Sequence, residues 1–206
     1  MLDNFALLNE PRRPWLDAEL LKQKFLALSS EFHPDRAHAA GEAQREAATR
    51  HFAELNAAWQ CLREPKERLG HLLELELGAR PADTPDVPAA AMDLFFDTGR
   101  LCREADAFLA AKAKTRSPVV KAQMFGRGME LAGRLNELQQ VIARRREELL
   151  AELQELNAAS AAAPAPGSAG RAAALPLNAL ERLCRLLSYL ARGTGQIQER
   201  LAQLSF

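Results

Sequence analysis

Cysteine is scarce in this chain, and its three cysteines follow no recognised pattern. Cys61, Cys102 and Cys184 are odd in number and widely spaced. This arrangement excludes a disulfide framework and a zinc knuckle. We interpret the three side chains as small apolar members of the core in a reducing compartment.

An excess of one charge and long apolar runs are also missing. Lys+Arg and Asp+Glu both number 27, so the net charge gives no reason to expect a nucleic-acid partner. No apolar run approaches the roughly 20 residues that cross a bilayer. The first residues, 1–4, lack the basic flank and apolar stretch of a secretory signal. The sequence therefore predicts a cytoplasmic protein with neither a nucleic-acid nor a membrane partner.

Strand signals are absent, since no run alternates β-branched or aromatic with polar residues. Apolar residues recur instead at helical spacings. Residues 78–88 carry three prolines in eleven positions, which indicates a domain boundary, and the Ala/Pro/Gly/Ser-rich residues 158–176 predict a flexible loop. The predicted helices cover about 4–9, 17–31, 41–64, a fourth starting at Pro65, 89–114, 118–157 and 177–204.

Two apolar stripes of helical period flank the tripeptide His33-Pro34-Asp35. Helices bearing such stripes bury them by pairing as an antiparallel hairpin, which leaves the tripeptide at its exposed tip. Pro34 restricts the backbone, Asp35 offers an acceptor for an arginine, and His33 adds a polar aromatic edge. The stripes are Leu21, Phe25, Leu28 and Phe32 before the tripeptide, and Ala48, Phe52, Leu55, Trp59 and Leu62 after it.

The tripeptide is interpreted as a docking tip. The alternative is an ordinary corner between two helices, because Pro-Asp is common in turns. A catalytic role for His33 and Asp35 would require a nucleophile or a substrate pocket within hydrogen-bond reach, and neither accompanies them in the sequence. His38, His51 and His71 have no partners at metal-ligand spacing. We therefore predict that the chain is not an enzyme and holds no metal and no cofactor.

The two stripes around His33-Pro34-Asp35 resemble a J domain, the module that stimulates ATP hydrolysis by DnaK-class chaperones. The following residues, Ala58-Trp59-x-x-Leu62 and Pro65-x-x-Arg68-x-x-x-Leu72-Leu73, resemble the HscB (Jac-type) family, whose members are co-chaperones of iron–sulfur cluster assembly. The resemblance is close over residues 1–77 and loose beyond them. It implies an all-α fold with a J domain at 1–77, a linker at 78–88 and a C-terminal three-helix bundle at 89–206.

The resemblance also implies two protein partners. The J domain would stimulate an HscA/DnaK-type ATPase chaperone, and the bundle would deliver an IscU-like iron–sulfur scaffold to it. The residues implied for binding the chaperone are His33, Pro34, Asp35, Lys22, Lys24 and Arg36.

The scaffold-binding residues implied by the resemblance are Met92, Phe95, Phe96 and Phe206. The first three form a docking patch if they are exposed, or part of the bundle core if they are buried, and the sequence leaves both open. The acidic run of the family is replaced here by Phe96–Arg100, so its carboxylates are reduced to Asp93 and Asp97. Two other functions also stay open: a J-domain co-chaperone for a different client, and a helical interaction scaffold with a vestigial J domain.

Overall fold

The computed structural model describes residues 2–32, 41–80 and 88–205. Within these ranges the chain forms eight α helices and no strand, which confirms the all-α prediction. A short 3₁₀ helix, Ala89–Ala91, precedes the fifth α helix. The helices are α1 (Asn4–Leu7), α2 (Ala18–Glu31), α3 (Glu42–Arg63), α4 (Pro65–Leu77), α5 (Met92–Lys114), α6 (Pro118–Ala162), α7 (Arg171–Ala174) and α8 (Leu177–Leu204).

Local signals in the sequence account for several helix ends. The Asp17 carboxylate accepts a hydrogen bond from the Leu20 N–H at the start of α2, and Asp3 caps α1 in the same way. Pro65 occupies the first turn of α4, where a missing N–H costs nothing. The same helix ends at Leu77 and is capped by Gly78, whose φ of 78° is left-handed, a conformation that glycine adopts without strain.

Two predicted helix ends and one predicted loop require correction. Helix α6 continues to Ala162 and does not end near residue 157, because the alanines that made residues 158–162 look like a loop are strong helix formers. Helix α7 and the buried Leu175 also lie inside the predicted loop 158–176. At the other end of the chain, α1 stops at Leu7, and Asn9 has a φ of 52°, which a helix cannot accommodate.

The chain divides into two compact units, which are described separately. The first consists of Met1–Ala82 with Leu150–Cys184, and the second of Asp83–Leu149 with Arg185–Phe206. Helices α6 and α8 therefore contribute residues to both units. The predicted residue bounds of the J domain, the linker at 78–88 and the bundle stay predictions.

The first unit is built around the pair of α2 and α3. The Phe25 ring stacks on Trp59 with 4.6 Å between centroids, and Phe32 meets His51 edge-on at 4.5 Å. Phe32, the residue that caps the end of α2, thus contacts an earlier residue of α3 than Phe25 does, so the helices are antiparallel, as predicted. The largest fully buried side chains of this unit are Phe5, Leu8, Leu21, Leu55, Leu62, Leu69, Leu72, Leu73 and Leu153.

A buried arginine holds the segment before α2 against this core. Arg68 is 4 % exposed, and its guanidinium donates hydrogen bonds to the carbonyl oxygens of Pro14 at 2.8 Å and Leu62 at 2.6 Å. Burial lowers the pKa of Arg68 to about 10. The side chain remains a cation at neutral pH and satisfies two carbonyl groups that would otherwise lose their hydrogen bonds inside the protein.

We expect the first unit to lose stability on mild acidification through His71. The buried imidazole accepts a hydrogen bond from the Asn4 N–H at its Nε2 (3.1 Å), and burial lowers the pKa of His71 despite the neighbouring Asp3 and Glu74. Because this pKa is lower in the folded than in the unfolded state, the unfolded chain takes up the proton first as the pH falls. The free energy of unfolding should then decrease below about pH 7, by at most about 1.4 kcal/mol per pH unit.

Urea unfolding between about pH 5 and pH 7 checks this expectation. The variant His71→Gln cannot titrate, while its amide oxygen still offers an acceptor to Asn4. Its unfolding free energy should vary less with pH than that of the wild type. Equal slopes for the two proteins would contradict the assignment.

The second unit is a bundle of α5, the first part of α6 and the last part of α8. Arg134 of α6 donates a hydrogen bond to Glu104 of α5 at 3.0 Å, and Arg200 of α8 bonds to Asp106 of α5 at 3.1 Å. Gly193 brings α8 close to the Ile142 side chain of α6. Each helix therefore contacts the other two, which confirms the three-helix bundle. Its buried side chains include Leu101, Ala105, Phe108, Leu131, Leu135, Leu138, Leu149, Leu190 and Ile197.

Candidate functional site

The tripeptide His33-Pro34-Asp35 and the adjoining Arg36 lie outside the described residues, and so does Phe206. The helices that flank the tripeptide are described. Helix α2 ends at Glu31 and α3 begins at Glu42, and the Phe32–His51 contact places these two helix ends side by side. The structure thus describes the two helix ends that flank the tripeptide in the sequence, and the placement of the tripeptide itself stays a prediction.

The two lysines implied for chaperone binding differ in their surroundings. The Lys24 ammonium lies 2.8 Å from the Glu10 carboxylate and donates a hydrogen bond to the Asn9 carbonyl oxygen. Lys22 is exposed and pairs with no carboxylate of the described residues. Part of the Lys24 charge is therefore neutralised within the first unit. The pairing of Glu10 with Lys24 could not be predicted from the sequence, because no helical pattern links Glu10 to α2.

A cluster of side chains in the second unit, here called the aromatic patch, consists of the exposed Met92, Phe95 and Phe96 together with the buried Tyr189 beneath them. The first three are 38 %, 43 % and 63 % exposed, so they lie at the surface and do not form the bundle core. Phe95 meets Phe96 edge-on with 5.6 Å between ring centroids and lies 6.4 Å from the Tyr189 ring of α8. Contiguous exposed aromatic side chains are typical of a docking surface.

Tyr189 is the member of the aromatic patch that the sequence did not reveal. It is buried in the apolar stripe of α8, and the helical period of that stripe does not show that the Tyr189 ring lies beside Phe95 of another helix. Burial raises the pKa of the Tyr189 phenol, so the hydroxyl stays protonated at neutral pH and can donate a hydrogen bond at the base of the patch.

The carboxylates of the aromatic patch are few. Asp93 and Asp97 are both exposed, and Asp97 accepts a hydrogen bond from Arg100 at 2.9 Å. Asp97 is therefore partly neutralised within its own helix. The patch relies on apolar area more than on charge.

Cys61 is a half-buried thiol of the first unit. Burial raises the pKa of Cys61, which keeps the thiol protonated and poorly nucleophilic. Within residues 2–32, 41–80 and 88–205, no three His, Cys, Asp or Glu side chains come together as metal ligands would. None of the helices in these ranges has the length and apolar character to cross a membrane.

Comparison with known proteins identifies the fold. No model of a protein family matches the chain. The chaperone HscB from Vibrio cholerae has a similar structure, with a TM-score of 0.63, 23 % sequence identity and coverage of 98 % of this chain and 99 % of that one. Human co-chaperone protein HscB is similar with a TM-score of 0.59 and 16 % identity, over 98 % of this chain and 81 % of that one. Across almost its whole length the chain has the fold of the HscB co-chaperones, which confirms at the level of the fold the resemblance inferred from its sequence.

Proposed function

We propose that the protein is a co-chaperone that stimulates an HscA/DnaK-type ATPase and delivers an IscU-like iron–sulfur scaffold to it. One observation carries the proposal: a chain with the HscB fold combines a helical hairpin bearing His33-Pro34-Asp35 with an exposed aromatic patch in a second unit. The protein would act in the cytoplasm, without a nucleic-acid or membrane partner. No catalytic reaction is proposed for this chain, and the iron–sulfur cluster would be carried by the scaffold.

The hairpin supplies the contacts for the ATPase. Asp35 is an anionic acceptor suited to an arginine of the partner, and His33 can hydrogen-bond from either side of its ring. The neighbouring cations, Lys22, Lys24 and Arg36, would attract an acidic surface. Because Glu10 already neutralises part of the Lys24 charge, we assign most of this electrostatic steering to Lys22 and Arg36.

The aromatic patch supplies the contacts for the scaffold. Phe95 and Phe96 present apolar area that water now covers, and burying such area in a complex is the main source of affinity at apolar interfaces. Phe206 is included in the proposed interface only because the family resemblance implies it. A protein that holds the ATPase and the scaffold together raises the effective concentration of one near the other, so delivery requires no chemistry in the adaptor itself.

Steady-state ATP hydrolysis tests the proposal. The HscA- or DnaK-like chaperone of the same organism is assayed alone, with this protein, and with this protein plus the IscU-like scaffold. We expect stimulation that increases further with scaffold. The variant His33→Gln should return hydrolysis to the basal rate, because the motif loses its imidazole, whereas the matched variant His38→Gln, outside the tripeptide, should retain stimulation.

The same assay separates the other two functions. Stimulation that depends on His33 but is indifferent to the scaffold would leave a J-domain co-chaperone for a different client. No stimulation of any ATPase would contradict the proposal and leave a helical interaction scaffold.

A further inference from the structure

The positive charge of this neutral chain is concentrated where α5 ends and α6 begins. Residues 107–129 contain no aspartate and no glutamate. Five cations lie in the same stretch: Lys112, Lys114, Arg116, Lys121 and Arg127. Such a local imbalance attracts partners of opposite charge.

A groove with apolar walls lies within this basic segment, and we call it the basic groove. Phe108 forms its floor, Met124, Phe125 and Met129 form its walls, and Lys112 and Lys121 stand at its rim. Phe125 and Met129 are 70 % and 59 % exposed. Methionine suits a surface that must adapt to an apolar partner, because its side chain is flexible and polarisable.

Gly128 shapes the floor of the basic groove. A Cβ atom at this position would lie only 3.2 Å from Cζ of Phe108. The absence of a side chain therefore allows the Phe108 ring to lie against the backbone of α6. The ring is 8 % exposed, so it closes the base of the groove while the more exposed walls rise around it.

The two lysines at the rim come from different helices, Lys112 from α5 and Lys121 from α6. Neither pairs with a carboxylate in the part of the chain that the structure describes. Each ammonium group is thus available to an anionic group bound beside the apolar walls. A partner that fits must carry an apolar side chain with acidic groups close to it.

We propose that the basic groove binds an acidic amphipathic peptide segment of another protein. One apolar side chain of the segment enters between Met124, Phe125 and Met129, and its neighbouring carboxylates pair with Lys112 and Lys121. The concave apolar site between two cations suits a single side chain on a peptide better than the flat face of a lipid bilayer.

The basic groove is separate from the aromatic patch. Phe95 and Phe108 are 13 positions apart on α5, which corresponds to about 20 Å along a helix. A peptide in the groove therefore leaves the aromatic patch uncovered. The inference goes beyond the proposed function and does not depend on it.

Fluorescence anisotropy with the full chain tests this inference without any ATPase or scaffold. The probe is a labelled peptide of about 12 residues, or roughly three helical turns, with Leu and Phe at helical spacing and Glu elsewhere. A matched peptide carries Lys in place of every Glu. We expect the acidic peptide to bind, more weakly as salt is added, and the lysine peptide not to bind.

Variants locate the binding site. Lys112→Glu combined with Lys121→Glu, and separately Phe125→Ser, should each weaken binding of the acidic peptide at least about tenfold. Lys114→Glu combined with Arg116→Glu is the matched control for the lysine pair, because it makes the same charge change in the basic segment but away from the groove lining, and it should weaken binding less than threefold, or by about 0.6 kcal/mol. Circular dichroism of each variant establishes that its helices remain folded.

Several results would overturn the inference. These are equal binding of the acidic and lysine peptides, binding of neither at millimolar concentration, or binding unaffected by the groove variants. Binding to phosphatidylglycerol vesicles but not to the peptide, with loss in the same variants, would assign the groove to a membrane surface. Self-association that these variants abolish, again without peptide binding, would assign it to a second copy of the chain.

Discussion

Replacing Arg171 with alanine is expected to lower the free energy of unfolding of the first unit by about 3–5 kcal/mol. The Arg171 guanidinium donates to both carboxylate oxygens of Glu76 at 3.0 Å and also to the Pro164 carbonyl oxygen. The two charged side chains are only 7 % and 6 % exposed. Removal of the arginine leaves a buried carboxylate whose remaining cation, Arg12, is 3.8 Å away.

Urea unfolding followed by tryptophan fluorescence measures this loss, since both tryptophans, Trp15 and Trp59, belong to the first unit. Arg182→Ala is the control: its partner Glu152 is an exposed carboxylate on α6, and such pairs contribute about 1 kcal/mol or less. The double variant Arg171→Met with Glu76→Leu should recover most of the stability, because it leaves no buried charge. If Arg171→Ala and Arg182→Ala cost the same, the buried pair does not hold α7 on α4.

The double variant Phe95→Ser with Phe96→Ser is expected to weaken binding of an IscU-like scaffold about 100-fold, or roughly 2.7 kcal/mol. This expectation rests on the proposed function. Both rings are exposed in the free protein, so their loss removes apolar area from the interface without opening a cavity in the bundle core. Stability of the free protein should change little, because surface substitutions rarely alter it by more than about 0.5 kcal/mol.

Titration calorimetry with the scaffold measures the affinity, and Leu26→Ser provides the control. Leu26 is 55 % exposed but belongs to the first unit, so its replacement should leave scaffold affinity unchanged. Stimulation of the ATPase in the absence of scaffold should also be unchanged in the Phe95/Phe96 variant. If the double variant still binds the scaffold, the aromatic patch is not the scaffold site. This conclusion does not depend on whether the hairpin stimulates the ATPase.

Helix positions could be predicted from the sequence because their signals are local. The stripe from Leu21 to Phe32 repeats every three to four residues, the distance at which side chains share one face of a helix. Asp17 and Pro65 mark helix starts through their own backbone and side-chain chemistry. The antiparallel hairpin also followed, because two apolar stripes on a short connection have few ways to be buried.

Other features could not be predicted, because similar side chains on one helix lie either at the surface or in the core, depending on how that helix packs. The phenylalanines of the aromatic patch and Phe108 all lie on α5, yet Phe108 is buried and Phe96 is the most exposed ring of the patch. Tyr189 is buried, yet its ring also lies beside the exposed Phe95 of another helix. Residues 158–162 looked like loop although alanine extends the helix there. Composition alone does not distinguish these cases.

The sequence by itself determined an all-α chain with a hairpin carrying His33-Pro34-Asp35, because helix caps and apolar periods act between residues at most four positions apart. Only the tertiary structure decided which side chains meet across the chain. Arg171 pairs with Glu76 over 95 positions, and Lys112 and Lys121 come to the rim of one groove from two helices. Such contacts depend on the angle and register at which helices pack, which arise from the sum of many small apolar contacts and leave no local pattern in the sequence.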